Sequence, residues 1–264
     1  MTTLQLDAQP HADGESLVGK AVVISGGTTG IGRAIAARLA QAGARVLIFG
    51  RHQKELDDAL RELREVRAIG AREVHGVVAD QSRTDDVRRV FEQADELFGG
   101  CDILINNAAV GGGSVGENGL DEIRYALDTN LFGYLACAHE AIARMKHGDG
   151  ADGNAGHIVN VGSMSADLRE AGGDVYAATK AAIQAFSESL RKSANKDGIR
   201  VTLIEPGAVA TPMQEKTPEE QRRKIDAMEM LVADDIARCV VFCLAQPQRV
   251  DVVSIQVRPL KQLI

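Results

Sequence analysis

No stretch of the 264 residues approaches the roughly 20 consecutive apolar residues of a membrane span. The first residues, Met-Thr-Thr-Leu-Gln-Leu-Asp-Ala-Gln-Pro, show no basic region followed by an apolar one. No secretory signal is therefore legible, and a cytoplasmic location is expected. Positive charge is scarce as well. Lysine and arginine number 30 against 37 aspartates and glutamates, a net charge of -7, and no basic cluster offsets it. That balance argues against nonspecific nucleic-acid binding. Cysteine is thinly used: Cys101, Cys137, Cys239 and Cys243 stand in apolar contexts, as reduced core thiols do. Cys239 and Cys243 have no second ligand pair after them, so a zinc site is not expected. What remains is ordinary for a globular chain, 45% hydrophobic and 25% charged, enough to bury a substantial core in one large domain or two small ones.

Residues 1 to 18 are polar, broken by Pro10 and by glycine and aspartate, and read as a flexible leader. From Gly19 onward, short apolar runs alternate with helical periodicities. Residues 21–24 read as a strand, 25–32 as a glycine-rich turn, 33–42 as a helix ending at Gly43, and 45–49 as a second strand. Helices are then expected over 53–69, 84–98, 120–145, 176–194 and 233–244, with strands at 73–79, 103–105, 157–161, 201–204 and 252–257. This order predicts a single α/β domain over 19–264, a doubly wound parallel sheet of about seven strands flanked by helices. A glycine and aspartate run, 146–156, enters a strand at its amino end, away from the edge where such sheets bind ligands. It lacks the ligand order of a calcium loop.

Two stretches carry chemistry. Strand 157–161 delivers Ser163 to its carboxyl end, and on the following helix Tyr176 and Lys180 share a face, because residues four apart are neighbours. An ammonium beside a phenol favours the phenolate, lowering a pKa of about 10 toward the range of an acid/base catalyst. The turn Ser25, Gly26, Gly27, Thr28, Thr29, Gly30, Ile31, Gly32 places glycines where a backbone can approach a pyrophosphate and opens a helix whose amides face the anion. Dinucleotide binding is the expected role.

The spacing Ser-Gly-x-x-x-Gly-Ile-Gly resembles the Thr-Gly-x-x-x-Gly-Ile-Gly fingerprint of the short-chain dehydrogenase/reductase family, with Ser25 replacing threonine. The family's other marks follow in order. Asp80, after the third strand, matches the aspartate set against adenine. Asn106, Asn107, Ala108 and Ala109 resemble Asn-Asn-Ala-Gly, with Ala109 replacing the last glycine. Asn130 sits where the family carries a helix-borne catalytic asparagine, and Ser163, Tyr176 and Lys180 match the rest of its tetrad. The segment Pro206, Gly207, Ala208, Val209, Ala210, Thr211 resembles the segment that contacts the nicotinamide side.

The resemblance implies a Rossmann-type fold and hydride transfer between a nicotinamide and a small-molecule carbonyl or alcohol substrate. In it Tyr176 moves the proton, Lys180 lowers the phenol pKa and bonds the nicotinamide ribose, and Ser163 orients the substrate carbonyl. Asn130 holds a water, and no metal is required. At the family's usual aspartate position, after the second strand, this chain has Gly50, followed by Arg51. An arginine there suits the 2′-phosphate, so the expected cofactor is NADP(H). Arg33 and His52 are the other cations in reach, with solvent the alternative for Arg33.

The resemblance also implies that residues 211–231 form a mobile substrate lid. Met213, Met228 and Met230 are either pocket wall or core there, and Val110 to Ser114 and Met164 are further wall candidates. A homodimer or homotetramer built through residues 120–145 and 176–194 is implied too. The alternative from another class is a non-catalytic NADP(H)-binding regulatory protein on the same fold, because fold does not fix function.

Overall fold

The computed structural model describes residues 16–66, 73–145, 156–214 and 216–262. Most of the leader, the expected end of the second helix and the run 146–155 lie outside the described residues. The first half runs β1 (Ala21–Ser25), α1 (Gly30–Gln41), β2 (Arg45–Gly50), α2 (Gln53–Val66), β3 (Val74–Val78), α3 (Thr84–Phe98) and β4 (Ile103–Asn106). After α4 (Leu120–Leu127) come one π turn (Asp128–Phe132) and α5 (Gly133–Met145). The second half holds β5 (Gly156–Val161), α6 (Ser165–Leu168), α7 (Asp174–Ala194), β6 (Ile199–Pro206), β7 (Val209–Ala210), α8 (Pro218–Asp226), β8 (Leu231–Val232), α9 (Ala233–Leu244) and β9 (Ser254–Val257).

Seven strands pair in parallel in the order β3-β2-β1-β4-β5-β6-β9. The period of two in each strand sorts the core into two layers. Val22, Ile24, Val46 and Ile48 pack with α1, α2 and α9, while Val23, Leu47 and Phe49 pack with α3 and α5 on the other face. Strand order reverses between β1 and β4, so the connections leaving those strands diverge and open a crevice at their carboxyl ends. Across one face, Arg38 of α1 forms an ion pair with Asp234 of α9 and holds that carboxyl below its usual range.

One expectation is corrected. The helix expected over 120–145 is interrupted by the π turn, which carries Thr129 and Asn130 into the interior at 3% and 0% exposure. The interruption is seated by contact: a Cβ on Gly133, just past the turn, would come within 2.7 Å of the Gln81 side chain. Apolar periodicity over so long a segment does not reveal one extra residue in a turn. Within the segment expected as a lid lies α8, capped by Thr217 and Glu220, and β8, which starts at its last residue, pairs with β7 in a small sheet.

Cys101, Cys137, Cys239 and Cys243 are free thiols. Burial pushes Cys101 and Cys243 up to about 12, which leaves them protonated and inert.

His157 of β5 is 2% exposed, and its Nε2 lies 2.8 Å from the Thr202 hydroxyl. Because that hydroxyl donates to the Val252 carbonyl at 2.7 Å, the imidazole is the donor to Thr202, leaving Nδ1 unprotonated and without a partner among the described residues. Burial and the Arg200 guanidinium lower its pKa from 6.5 to about 3. Between pH 6.5 and 3 the unfolded chain therefore takes up a proton that the folded chain refuses, and stability falls as pH falls. His157→Gln should remove a slope of about 1.4 kcal/mol per pH unit across that window in urea titrations; an unchanged slope would contradict this assignment.

Candidate active site

The crevice is floored by a close approach of two loops. The Ser25 hydroxyl accepts the N–H groups of Asn107 and Ala108 at 2.9 and 3.0 Å. In return the Asn107 amide donates to the carbonyls of Ser25 and Gly26 at 3.1 and 3.2 Å. The serine thus fills the place the resemblance gives to threonine. Gly26 adopts φ +62°, and a Cβ on Gly32 would lie 2.2 Å from the Gly26 oxygen, so neither position admits a side chain. Thr29, at the start of α1, gives the helix no side-chain cap, which leaves its first amides directed into the crevice. A backbone cradle of this shape with open amides fits a pyrophosphate.

Sixteen of the expected residues line this one crevice: Gly26, Thr28, Thr29, Gly30, Ile31, Arg51, Asp80, Asn107, Ala108, Ser163, Tyr176, Lys180, Pro206, Gly207, Val209 and Thr211. Ser25 and Gly32 support it from beneath. Asn130 is fully buried behind it, its amide oxygen accepting Val110 N–H at 2.8 Å and its amide nitrogen donating to Val110 O at 2.9 Å. The asparagine side chain is therefore engaged with the Val110 backbone and, at 3.3 Å, with the Thr179 hydroxyl.

At the inner end, β5 sets down Ser163, whose hydroxyl accepts the Ser165 N–H at 3.1 Å. One turn into α7, Lys180 is 2% exposed; its Nζ donates to the Val161 carbonyl at 2.9 Å and stands 5.6 Å from the centre of the Tyr176 ring. The expected lowering of the phenol by Lys180 is not the ruling influence here. Burial raises Tyr176 above its usual 10.0, opposed by the Ser163 hydroxyl. Burial also lowers Lys180 from 10.5 to about 7, so the amine is itself only part charged at neutral pH.

At the outer end Arg51 is exposed and packs on Tyr125 of α4. Arg33 is partly exposed and does not line the crevice: it donates to the carbonyls of Thr28 and Glu55 and pairs with Glu62 at 3.2 Å. Of the three methionines, Met213 lines the crevice, Met230 is core at 5% exposure, and Met228 faces outward at 47%. Three contributors were not anticipated. Gln81 bonds the Ala108 and Thr129 carbonyls, Tyr125 reaches Asp80, and Gln262 accepts the Ala208 N–H at 3.0 Å. Only Gln81, adjacent to Asp80, carried a positional signal.

Below pH 7 the buried amine of Lys180 carries its full cost, because the unfolded chain keeps that proton up to 10.5; the cost fades as pH climbs between those values. The Val161 carbonyl keeps the Tyr134 hydroxyl, at 3.0 Å, if the lysine is lost. Lys180→Met should therefore be more stable than the parent by about 2 kcal/mol at pH 6, the gap closing toward pH 10 in denaturant titrations. A less stable variant at pH 6 would refute the buried-amine argument.

Comparison with known proteins agrees with the fold. Residues 20–222 match the family model for short chain dehydrogenases. An uncharacterized oxidoreductase of Staphylococcus aureus is 32% identical over 244 residues, 92% of this chain and 98% of that protein. A short chain dehydrogenase of Burkholderia cenocepacia, solved in complex with NADP, superposes with a TM-score of 0.79 at 27% identity, covering 93% of this chain and 98% of that one. A 3-ketoacyl-(acyl-carrier-protein) reductase of Brucella melitensis, complexed with NADH, gives 0.81 at 27% identity, covering 94% and 100%. With the cradle, the parallel sheet and these likenesses together, the chain belongs to the short-chain dehydrogenase family of oxidoreductases.

Proposed function

We propose that the protein interconverts a carbonyl and a secondary alcohol with NADP(H), Tyr176 acting as general acid/base. The observation that carries this reading is the convergence of Ser163, Tyr176 and Lys180 on the crevice that the glycine turn and Pro206 to Thr211 also line. When bound there, the nicotinamide supplies or takes up the hydride. The Tyr176 phenol, raised by burial and so protonated at neutral pH, gives its proton to a carbonyl oxygen in reduction and recovers it in oxidation. Ser163 donates to the same oxygen and stabilises its growing charge. Lys180, part protonated near pH 7, restores the phenol proton and presents its amine to the ribose hydroxyls.

The 2′-phosphate preference rests on the end of β2. A Cβ at Gly50 would lie 2.8 Å from the Thr28 hydroxyl, so an acidic side chain has no room without displacing Thr28. Arg51 follows with no carboxylate partner among the described residues, and His52 lies beside it on the crevice rim. The exposed apolar side chains of Leu127, Phe132 and Leu135 on the α4 to α5 face support a homo-oligomer.

NADPH oxidation against a panel of ketones and aldehydes tests this function. Turnover with at least one carbonyl is expected, with Tyr176→Phe lowering kcat/KM about 10²- to 10⁴-fold. Undiminished activity in that variant would overturn the mechanism, and tight NADPH binding without turnover on any carbonyl would favour the regulatory alternative. Arg51→Ala should weaken NADPH binding by about tenfold and leave NADH binding within about twofold; equal losses would remove Arg51 from phosphate recognition.

A further inference from the structure

Arg51, Tyr125 and Asp80 come from three separate elements, the ends of β2 and β3 and the body of α4, and meet at the outer mouth of the crevice. The Tyr125 hydroxyl donates to Asp80 Oδ2 at 2.9 Å, and Arg51 Nη1 donates to the same phenolic oxygen. The guanidinium carbon also lies 5.4 Å from the centre of the Tyr125 ring, so the cation is held by a hydrogen bond and a ring face together. The second Asp80 oxygen is taken by the Ser82 N–H at 2.9 Å, which fixes the carboxylate that anchors the phenol.

We propose that Tyr125 is a positioning residue for cofactor choice: it holds Arg51 over the outer end of the crevice, ready for the 2′-phosphate of NADP(H). This inference rests on the NADP(H) reading and deepens it. A free arginine carries large rotamer freedom, which is lost when it grips a ligand; a guanidinium already held loses less. One nitrogen of Arg51 is engaged with Tyr125, and among the described residues its remaining N–H groups have no other partner, which leaves them for phosphate oxygens. A phenol also suits this task better than a carboxylate. Were Arg51 paired directly with Asp80, its charge would be neutralised before any ligand arrived. With a neutral phenol between them the cation keeps its charge for a dianion, while Asp80 stays on the crevice wall. Burial and the bond to Asp80 raise the Tyr125 pKa, so the phenol remains a donor at physiological pH.

Calorimetric titration of the full chain with NADP+ and with NAD+ tests the proposal, on the parent protein, Tyr125→Phe and Tyr125→Leu. Tyr125→Phe keeps the ring and loses the hydroxyl; the expected result is a three- to tenfold weaker NADP+ affinity with NAD+ affinity changed less than twofold. Tyr125→Leu removes both holds and should lose more of the preference. A role confined to folding would weaken both cofactors alike or lower thermal stability without moving their ratio, and either result overturns the proposal. A parent protein with no preference for NADP+ would instead sink the underlying NADP(H) reading. A preference present in the parent and intact in both variants would sink the role of Tyr125 alone.

Discussion

A single buried amine organises the inner half of this molecule. Lys180 sits fully inside the protein, its Nζ bonded to the Val161 carbonyl at the carboxyl end of β5 and bounded by the rings of Tyr134 and Tyr176. An ammonium there loses its hydration, and burial accordingly lowers its pKa toward neutrality. The surrounding architecture makes the position tenable. The strand end offers a carbonyl, Tyr134 bonds the same carbonyl from α5, and the π turn brings Asn130 against Thr179 on the helix that carries the lysine. Ser163 and Tyr176 owe their meeting to the same arrangement, since one follows β5 directly and the other precedes Lys180 by one turn.

The outer half works by different physics. There the chain uses close backbone approach and an exposed cation. Gly26 and Gly32 permit contact that any side chain would forbid, and Ser25 ties the glycine turn to the Asn107 loop across the point where strand order reverses. The relatives do not decide which nicotinamide is held, because structures of similar fold carry NADP in one case and NADH in another. The proposed preference for NADP(H) therefore rests on local residues: Gly50 offers no acidic side chain to a 2′-hydroxyl, a Cβ there would crowd Thr28, and Arg51 follows with a positive charge.

Much of this was legible in the sequence because the signals were local. Strand and helix periodicities placed all seven strands of the sheet, and α3 and α9 begin and end where apolar spacing and charge said they would. The crevice residues sat in short motifs after strand ends, where the fold itself brings them together. The misses share a physical origin in contacts between distant segments. The π turn depends on the Gln81 side chain lying under Gly133, the phenol pKa depends on burial that pattern alone does not measure, and Arg33 is drawn from the crevice by Glu62 on another helix. Tyr125 belongs to the same class: nothing near it in the chain announces a bond to Asp80.

The most direct test of the central claim is a crystal structure with NADP+ and a carbonyl or alcohol ligand. The account predicts that the reactive carbon of the nicotinamide and the Tyr176 oxygen both lie about 3 to 3.5 Å from the carbonyl group, with the Ser163 hydroxyl on the same oxygen and the Lys180 amine toward the ribose. A pyridine ring whose reactive carbon faces away from Tyr176, or a ligand oxygen bonded to neither Tyr176 nor Ser163, would contradict it.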